Sequence, residues 1–300
     1  MQVEIVAQAN CLLAENPLWN VSEQALYWTD IPGRRLYRYF PDTRRYECFY
    51  EGEVVGGFTF QEDNSLLLFG ANSIARLSSE GVRTVLREGI DTAMKRFNDV
   101  IADPFGRVFA GSIGATKESG GLYRVDPDGA ISLLFQGTGC SNGLAFSPDL
   151  QYLYWTCTTT STLFRFKYNL ENGELSERTT FYVAPGSEGN PDGMTIDTEG
   201  NLWTCRYAGS TVLKLNSSGK LVDRVELPVR DITSAVFGGP NLDELYVTTA
   251  GGKPDVVGLE GGIFKVSGLG RGLPEFRSKY LLGTASSAPE NAMGAASQQS

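Results

Sequence analysis

The sequence predicts an all-β fold, a six-bladed β-propeller with four-stranded antiparallel blades around a central channel. Three observations predict it. A unit of two short apolar strands joined by a turn rich in Pro, Asp, Asn or Gly recurs six times. The residues that open the units, Glu15, Gly56, Asn98, Asn142, Asp192 and Ser234, stand 41, 42, 44, 50 and 42 positions apart. Glycine is abundant, 35 of 300 residues, and no long apolar helical run interrupts the strands. A β-sandwich of the same composition would not require so regular a period.

The units read in order as "ENPLWNVSEQALYWTD", "GGFTFQEDNSLLLFG", "NDVIADPFGRVFAGS", "NGLAFSPDLQYLYWTC", "DGMTIDTEGNLWTCR" and "SAVFGGPNLDELYVTT". Each begins with a polar or small residue, runs into an apolar strand, turns, and starts a second strand ten or eleven residues later. Between the units, "RLYRYFP", "GGLYRVDP", "TLFRFKYN" and "TVLKLNS" supply further strands, so each unit has room for four. In the last unit "GGIFKVS" follows the hairpin, and "VEIVAQ" at the N-terminus can supply the missing outer strand. Such a closure joins the two ends of the chain and leaves no open edge in the ring. Residues 1–282 are assigned to this single domain. The small, polar, low-complexity stretch at 283–300 reads as a disordered tail.

Composition narrows the function. A net charge of −9 opposes binding to nucleic acid, because nothing offsets phosphate repulsion. No apolar stretch has membrane-spanning length, and the N-terminus lacks the apolar core of a secretory signal. Histidine is absent, which excludes Ser-His-Asp and Cys-His catalysis and removes the commonest ligand of catalytic zinc. The five cysteines are odd in number and show no CxxC spacing, as expected of reduced thiols in a cytoplasmic protein. The expectation is a monomer or weak homo-oligomer with a small-molecule partner and neither nucleic acid nor membrane.

In a propeller the innermost strand of each blade lines the channel, so the opening residues form a ring. Two carboxylates, Glu15 and Asp192, and two amides, Asn98 and Asn142, then converge from four blades. Like charges in a narrow channel repel, and a cation relieves them. Oxygen donors without histidine suit a hard divalent ion, Ca²⁺, Mg²⁺ or Mn²⁺, with Zn²⁺ less preferred. The plainer alternative is that each polar residue caps its own strand. The second strands end at Asp30, Gly70, Ser112, Cys157, Arg206 and Thr249, expected to wall the channel mouth. Arg206 could face an anionic substrate group or simply solvent. Arg96, in "KRFNDV", could reach over the same pocket and hold a substrate oxygen through two donors; it could equally pair with Glu118. Glu118 itself sits in "ATKESGG", a segment able to act as a lid. Trp28, Trp155 and Trp203 read as blade core, and "DPDG" at 126–129 as a turn.

The stretches "ENPLW", "RFNDV…DPFGRVFAGS", "SNGLAFSPD", "PDGMTIDTEGNLW" and "FGGPNLDELYVT" resemble the senescence marker protein/gluconolactonase/luciferin-regenerating-enzyme family, in the same order, from about residue 10 to 270. The resemblance implies a six-bladed propeller with one divalent cation in the channel, Ca²⁺ foremost. It also implies hydrolysis of sugar lactones, as in many members, others being linked to phosphotriesters or other esters. By motif it implies Glu15, Asn142 and Asp192 as metal ligands and Asp192 as general base. Arg96 and Asn98 match substrate contacts, Asn98 also approaching the ion. The chain departs from the family at "YWTCT", where Cys157 replaces an acid, and at Arg206. The leading expectation is metal-assisted hydrolysis of a cyclic ester. Hydrolysis of an organophosphate or aryl ester, and a non-catalytic, calcium-stabilised ligand-binding propeller, are the alternatives.

Overall fold

The structure is a computed structural model that describes residues 1–253 and 258–281. The expected tail at 283–300 lies outside the described residues. Strand β1 (Gln2–Ala7) begins the chain. Blade one holds β2 (Ala14–Asn20), β3 (Ala25–Asp30), β4 (Arg35–Phe40) and β5 (Arg45–Glu51). Blade two holds β6 (Val55–Phe60), β7 (Leu66–Gly70), β8 (Ser73–Leu77) and β9 (Arg83–Glu88). Blade three holds β10 (Met94–Ala102), β11 (Val108–Gly114), β12 (Gly120–Val125) and β13 (Ile131–Thr138). Blade four holds β14 (Ser141–Phe146), β15 (Tyr152–Cys157), β16 (Thr162–Tyr168) and β17 (Leu175–Val183). Blade five holds β18 (Asn190–Ile196), β19 (Leu202–Tyr207), β20 (Thr211–Leu215) and β21 (Leu221–Glu226). Blade six holds β22 (Ile232–Gly238), β23 (Glu244–Thr249) and β24 (Ile263–Ser267), and its outer strand is β1.

The ring therefore closes as the sequence predicts. β1 pairs antiparallel with β24, Val3 opposite Val266 and Ile5 opposite Phe264. Burial falls from the axis outwards. The innermost strands β2, β6, β14 and β22 are buried at every residue. The outermost, such as "RYECFYE" of β5 and "RTVLRE" of β9, are charged and largely exposed. A strand flanked by blades on both faces needs apolar residues throughout, whereas charges on an outer strand block edge pairing. Trp28, Trp155 and Trp203 are fully buried, as expected, and pack blade on blade. The ring of Trp203 meets that of Phe237 in blade six edge-on, centroids 6.0 Å apart.

Two features have no counterpart in the repeat grammar. First, every innermost strand is bulged against its neighbour near its opening residue. The breaks fall at Glu15/Leu18, Val55/Gly57, Phe97/Val100, Asn142/Leu144, Pro191/Met194 and Ile232/Ala235. A bulge re-aims side chains and ends strict alternation. Second, the segment after β24 crosses the end of the channel away from the opening ring. It pairs with the turns that follow the innermost strands: Thr198 donates to the Arg271 carbonyl, Ser278 to that of Phe60 and Lys279 to that of Gly106. Leu273–Phe276 thereby floor the channel.

Candidate metal centre

The bulges bring the opening residues together. Glu15, Asn98, Asn142, Asp192 and Ser234 are only 3, 3, 4, 5 and 5 % exposed. Two of them are followed by glycines, and the reason is steric. A Cβ on Gly143 would lie 2.7 Å from the Asp192 carbonyl oxygen, and one on Gly193 would lie 2.1 Å from Ser234 Oγ. Glycine lets each innermost strand approach the next closely enough for the polar residue before it to reach the axis.

The hydrogen bonds orient the amides. Arg96 donates to Asn98 Oδ1 at 2.5 Å and to the Phe97 carbonyl at 2.9 Å. A guanidinium only donates, so the Asn98 oxygen must face it. The Asn98 nitrogen then donates to Asn142 Oδ1 at 3.0 Å and to the Ser141 carbonyl at 2.9 Å. Glu15 accepts the Asn16 amide at 3.2 Å, and Asp192 Oδ1 has no hydrogen-bond partner among the described residues. A buried carboxylate oxygen left unpaired is costly unless something else satisfies it.

Electrostatics tell the same story. Burial pushes the Asp192 carboxyl well above its ordinary range, the Asp99 charge adds to this, and Asn142 and Arg96 pull it back. Burial likewise raises Glu15, with Asp192 and Asp99 adding repulsion. Asp99 is pushed up to about 7 by burial, against the pull of Arg96. Burial draws the Arg96 guanidinium down, while Cys140 and the three carboxylates oppose that shift. Among the described residues no three Asp, Glu, Cys or His side chains gather closely enough to hold an ion by themselves. A cation here would need amide oxygens beside the carboxylates. The donors present fit a hard ion on that count: hard oxygens, one of them unpaired, in a cluster that burial and repulsion make unfavourable.

Asp99 is the residue that sequence reasoning missed. Strict alternation after Asn98 would send it away from the axis, but the bulge between Phe97 and Val100 turns it inwards. It is 6 % exposed, its Oδ1 lacks a partner among the described residues, and it lines a cavity of about 80 Å³ with Asn16, Ser234, Leu144, Met194 and Glu275. The available signal was the acid directly after the opening amide in "NDV".

The expected second ring does not wall the mouth. Its members pair with residues one or two positions before the openers, for example Asp30 with Ala14, Cys157 with Ser141 and Arg206 with Pro191. Three of the side chains bond within and between blades. Asp30 accepts the Leu12 and Leu13 amides, Cys157 Sγ meets Thr138 Oγ1 at 3.1 Å, and Thr249 donates to the Gly262 carbonyl. Arg206 is fully buried, its guanidinium 5.5 Å from the Tyr182 ring centre and 4.0 Å from Glu188. It does not join the Glu15–Asp192 cluster. Glu118 is exposed in the turn between β11 and β12. That turn lies against Gly139, where an added Cβ would sit 2.9 Å from the Lys117 carbonyl oxygen. Glu118 thus stands beside the Cys140–Asn142 segment rather than within the cluster.

Residues 13–251 match the SMP-30/Gluconolactonase/LRE-like region. The chain is 39% identical to Pentonolactonase XacC of Haloferax volcanii, over 94% of this chain and 100% of that protein. It is 33% identical to regucalcin of Oryctolagus cuniculus, over 92% of this chain and 98% of that protein. A solved luciferin-regenerating enzyme superposes with a TM-score of 0.85 at 27% identity, covering 93% of this chain and 99% of that one.

Proposed function

Since this chain belongs to the SMP-30/gluconolactonase/LRE-like family, we propose that it is a lactonase that hydrolyses a sugar lactone with the aid of one divalent cation, Ca²⁺ first among the candidates. The observation that carries this reading is the enclosed cluster of Glu15, Asp192, Asp99 and Arg96. When all three carboxyls ionise, they leave two negative charges against one guanidinium, which one divalent cation balances; without a cation, burial and mutual repulsion oppose that ionisation. Glu15, Asn142 and Asp192 would hold the ion. Asn98, whose oxygen is engaged by Arg96, serves better as an orienting group than as a ligand. When bound, the ion supplies Lewis-acid polarisation of the lactone carbonyl.

The chain's own residues do the rest. Asp192 accepts a proton from the water that adds to the carbonyl carbon. As the acyl carbon–oxygen bond opens, a proton passes to the ring oxygen and an open-chain hydroxy acid results. Arg96 and Asn98 orient substrate oxygens over the cluster, and Glu118 reaches the substrate from the turn at the mouth. The floor formed by Leu273–Phe276 leaves the substrate one side to enter from. Asp192 needs to be ionised to act as a base. Burial opposes this, and a nearby cation together with Arg96 favours it.

The test is a matrix of stripped protein, sugar lactones and Ca²⁺, Mn²⁺, Mg²⁺ or Zn²⁺, repeated with Glu15→Gln, with phosphotriesters and aryl esters as comparison substrates. Lactone turnover that returns on adding an ion, and drops in Glu15→Gln, is the expected result. Full lactone turnover in the stripped protein would overturn the ion's part, and turnover of the comparison substrates alone would overturn the lactonase reading.

A further inference from the structure

We propose that Thr158 is a positioning residue of this site, holding the Asn142 amide with its nitrogen on the Thr158 hydroxyl and its oxygen on the Asn98 side. The inference rests on the reading of Asn142 as an ion ligand given above. Thr158 opens a short 3₁₀ turn (Thr158–Thr160) directly after β15. Its backbone is pinned on both sides: its N–H donates to the Cys140 carbonyl at 3.1 Å, and its carbonyl accepts from Ser161 at 3.0 Å. Ser161 takes the left-handed conformation that ends the turn, at φ 51°.

The side chain of Thr158 has one hydrogen to give, and it goes to the Pro191 carbonyl at 2.8 Å. Only its lone pairs remain, and these accept the Asn142 nitrogen at 3.0 Å. An asparagine amide has two unlike ends of nearly equal size. Anchoring Nδ2 on Thr158 turns Oδ1 the other way, where the Asn98 nitrogen meets it at 3.0 Å. Arg96 orients Asn98 in turn. The result is a directed chain of hydrogen bonds from Arg96 through Asn98, Asn142 and Thr158 to the Pro191 carbonyl, across blades three, four and five. A guanidinium begins it and a carbonyl ends it. The first can only donate and the second can only accept, so each link in between has one possible polarity. The chain ends one residue before Asp192, tying the candidate ligand to the strand that carries the candidate base. The expected outer-ring residue, Cys157, makes no such contact; the functional position is the next one along.

Without the hydroxyl, the Asn142 nitrogen keeps on that side only the weak acceptor Cys140 Sγ, at 3.8 Å. An inverted amide would present N–H groups where an oxygen donor is needed. The outer partners of metal ligands act in this way. The experiment compares Thr158→Val, which keeps the shape and removes the hydroxyl, with Thr158→Ser, which keeps the hydroxyl. Dissociation constants for Ca²⁺ and Mn²⁺ are measured by titration calorimetry on stripped proteins, beside kcat and KM for a sugar lactone. Thr158→Val should weaken ion binding about 10–100-fold, and Thr158→Ser should stay within about threefold of the parent. In an Asn142→Asp background both side-chain ends are oxygen, so adding Thr158→Val should no longer change the dissociation constant. If the parent binds neither ion, the proposed function fails and this inference falls with it. If the parent binds but Thr158→Val binds equally well, or Thr158→Ser loses as much as Thr158→Val, or the Asp background remains sensitive, the positioning role alone is overturned.

Discussion

The Asn98 side chain donates to the Asn142 side chain over 3.0 Å, joining the innermost strands of two blades across 44 residues of sequence. No local segment can form such a contact. Loop-closure entropy must be met by the packing of whole blades before any polar group at the axis finds its partner. The site is therefore coupled to closure of the ring, and a change at one bears on the other.

Asp192 is the residue whose loss should separate chemistry from folding. Replacing it with Asn keeps its shape and removes the base. Lactone turnover should fall at least ~100-fold, in line with the usual contribution of a positioned base, while ion affinity falls only in part. Near-normal turnover in steady-state assays of Asp192→Asn would reject the assignment.

Stability of the stripped protein should depend on pH in a stated direction. Glu15 and Asp192 are raised well above their ordinary values, and Asp99 from 3.8 to about 7. Between the ordinary carboxylate range and these raised values the folded state binds more protons than the unfolded state, so stability falls as pH rises through that window. The stripped protein should melt higher at about pH 5 than at about pH 8 in scanning calorimetry, and added Ca²⁺ should raise Tm more at the higher pH. A Tm that rises across the window without the ion would contradict the cluster's electrostatics.

Glu275, on the channel floor, lines the same cavity as Asp99 and offers a further check. Burial alone pushes its carboxyl up to about 7. Ionising it therefore costs stability above that value. Glu275→Gln should raise Tm at about pH 8 and leave it unchanged at about pH 5. Equal effects at both would show that the carboxyl charge is not what matters there.

Closure by β1 is testable by truncation. Removing Met1–Ala7 exposes β24 as an unpaired edge and strips the partly buried Val3 and Ile5 from the core of blades five and six that they cover. The shortened chain should melt lower and self-associate, as open strand edges do. A monomeric truncation with unchanged Tm by light scattering and calorimetry would show the closure to be dispensable.

Arg96→Ala should act on substrate more than on fold. It removes the donor that orients Asn98, so KM should rise and kcat fall with little change in Tm. A loss confined to Tm would mark Arg96 as structural only.

The repeat period, the turns, the opening residues and the joining of the chain's two ends were legible in the sequence, because strand alternation and turn chemistry act over a few residues. So were Glu15, Asn98, Asn142 and Asp192, since each sits at the same place in its unit. The inward turn of Asp99, the burial of Arg206 against Tyr182 and Glu188, the floor across the channel and the orienting contact of Thr158 were not. Each depends on where a bulge falls or on which blade packs beside which. Alternation predicts a side chain's direction only while the ladder is regular, and the ladder breaks at the site. Local pattern named the residues that could meet at the axis; the closing of the ring decided which of their atoms face one another.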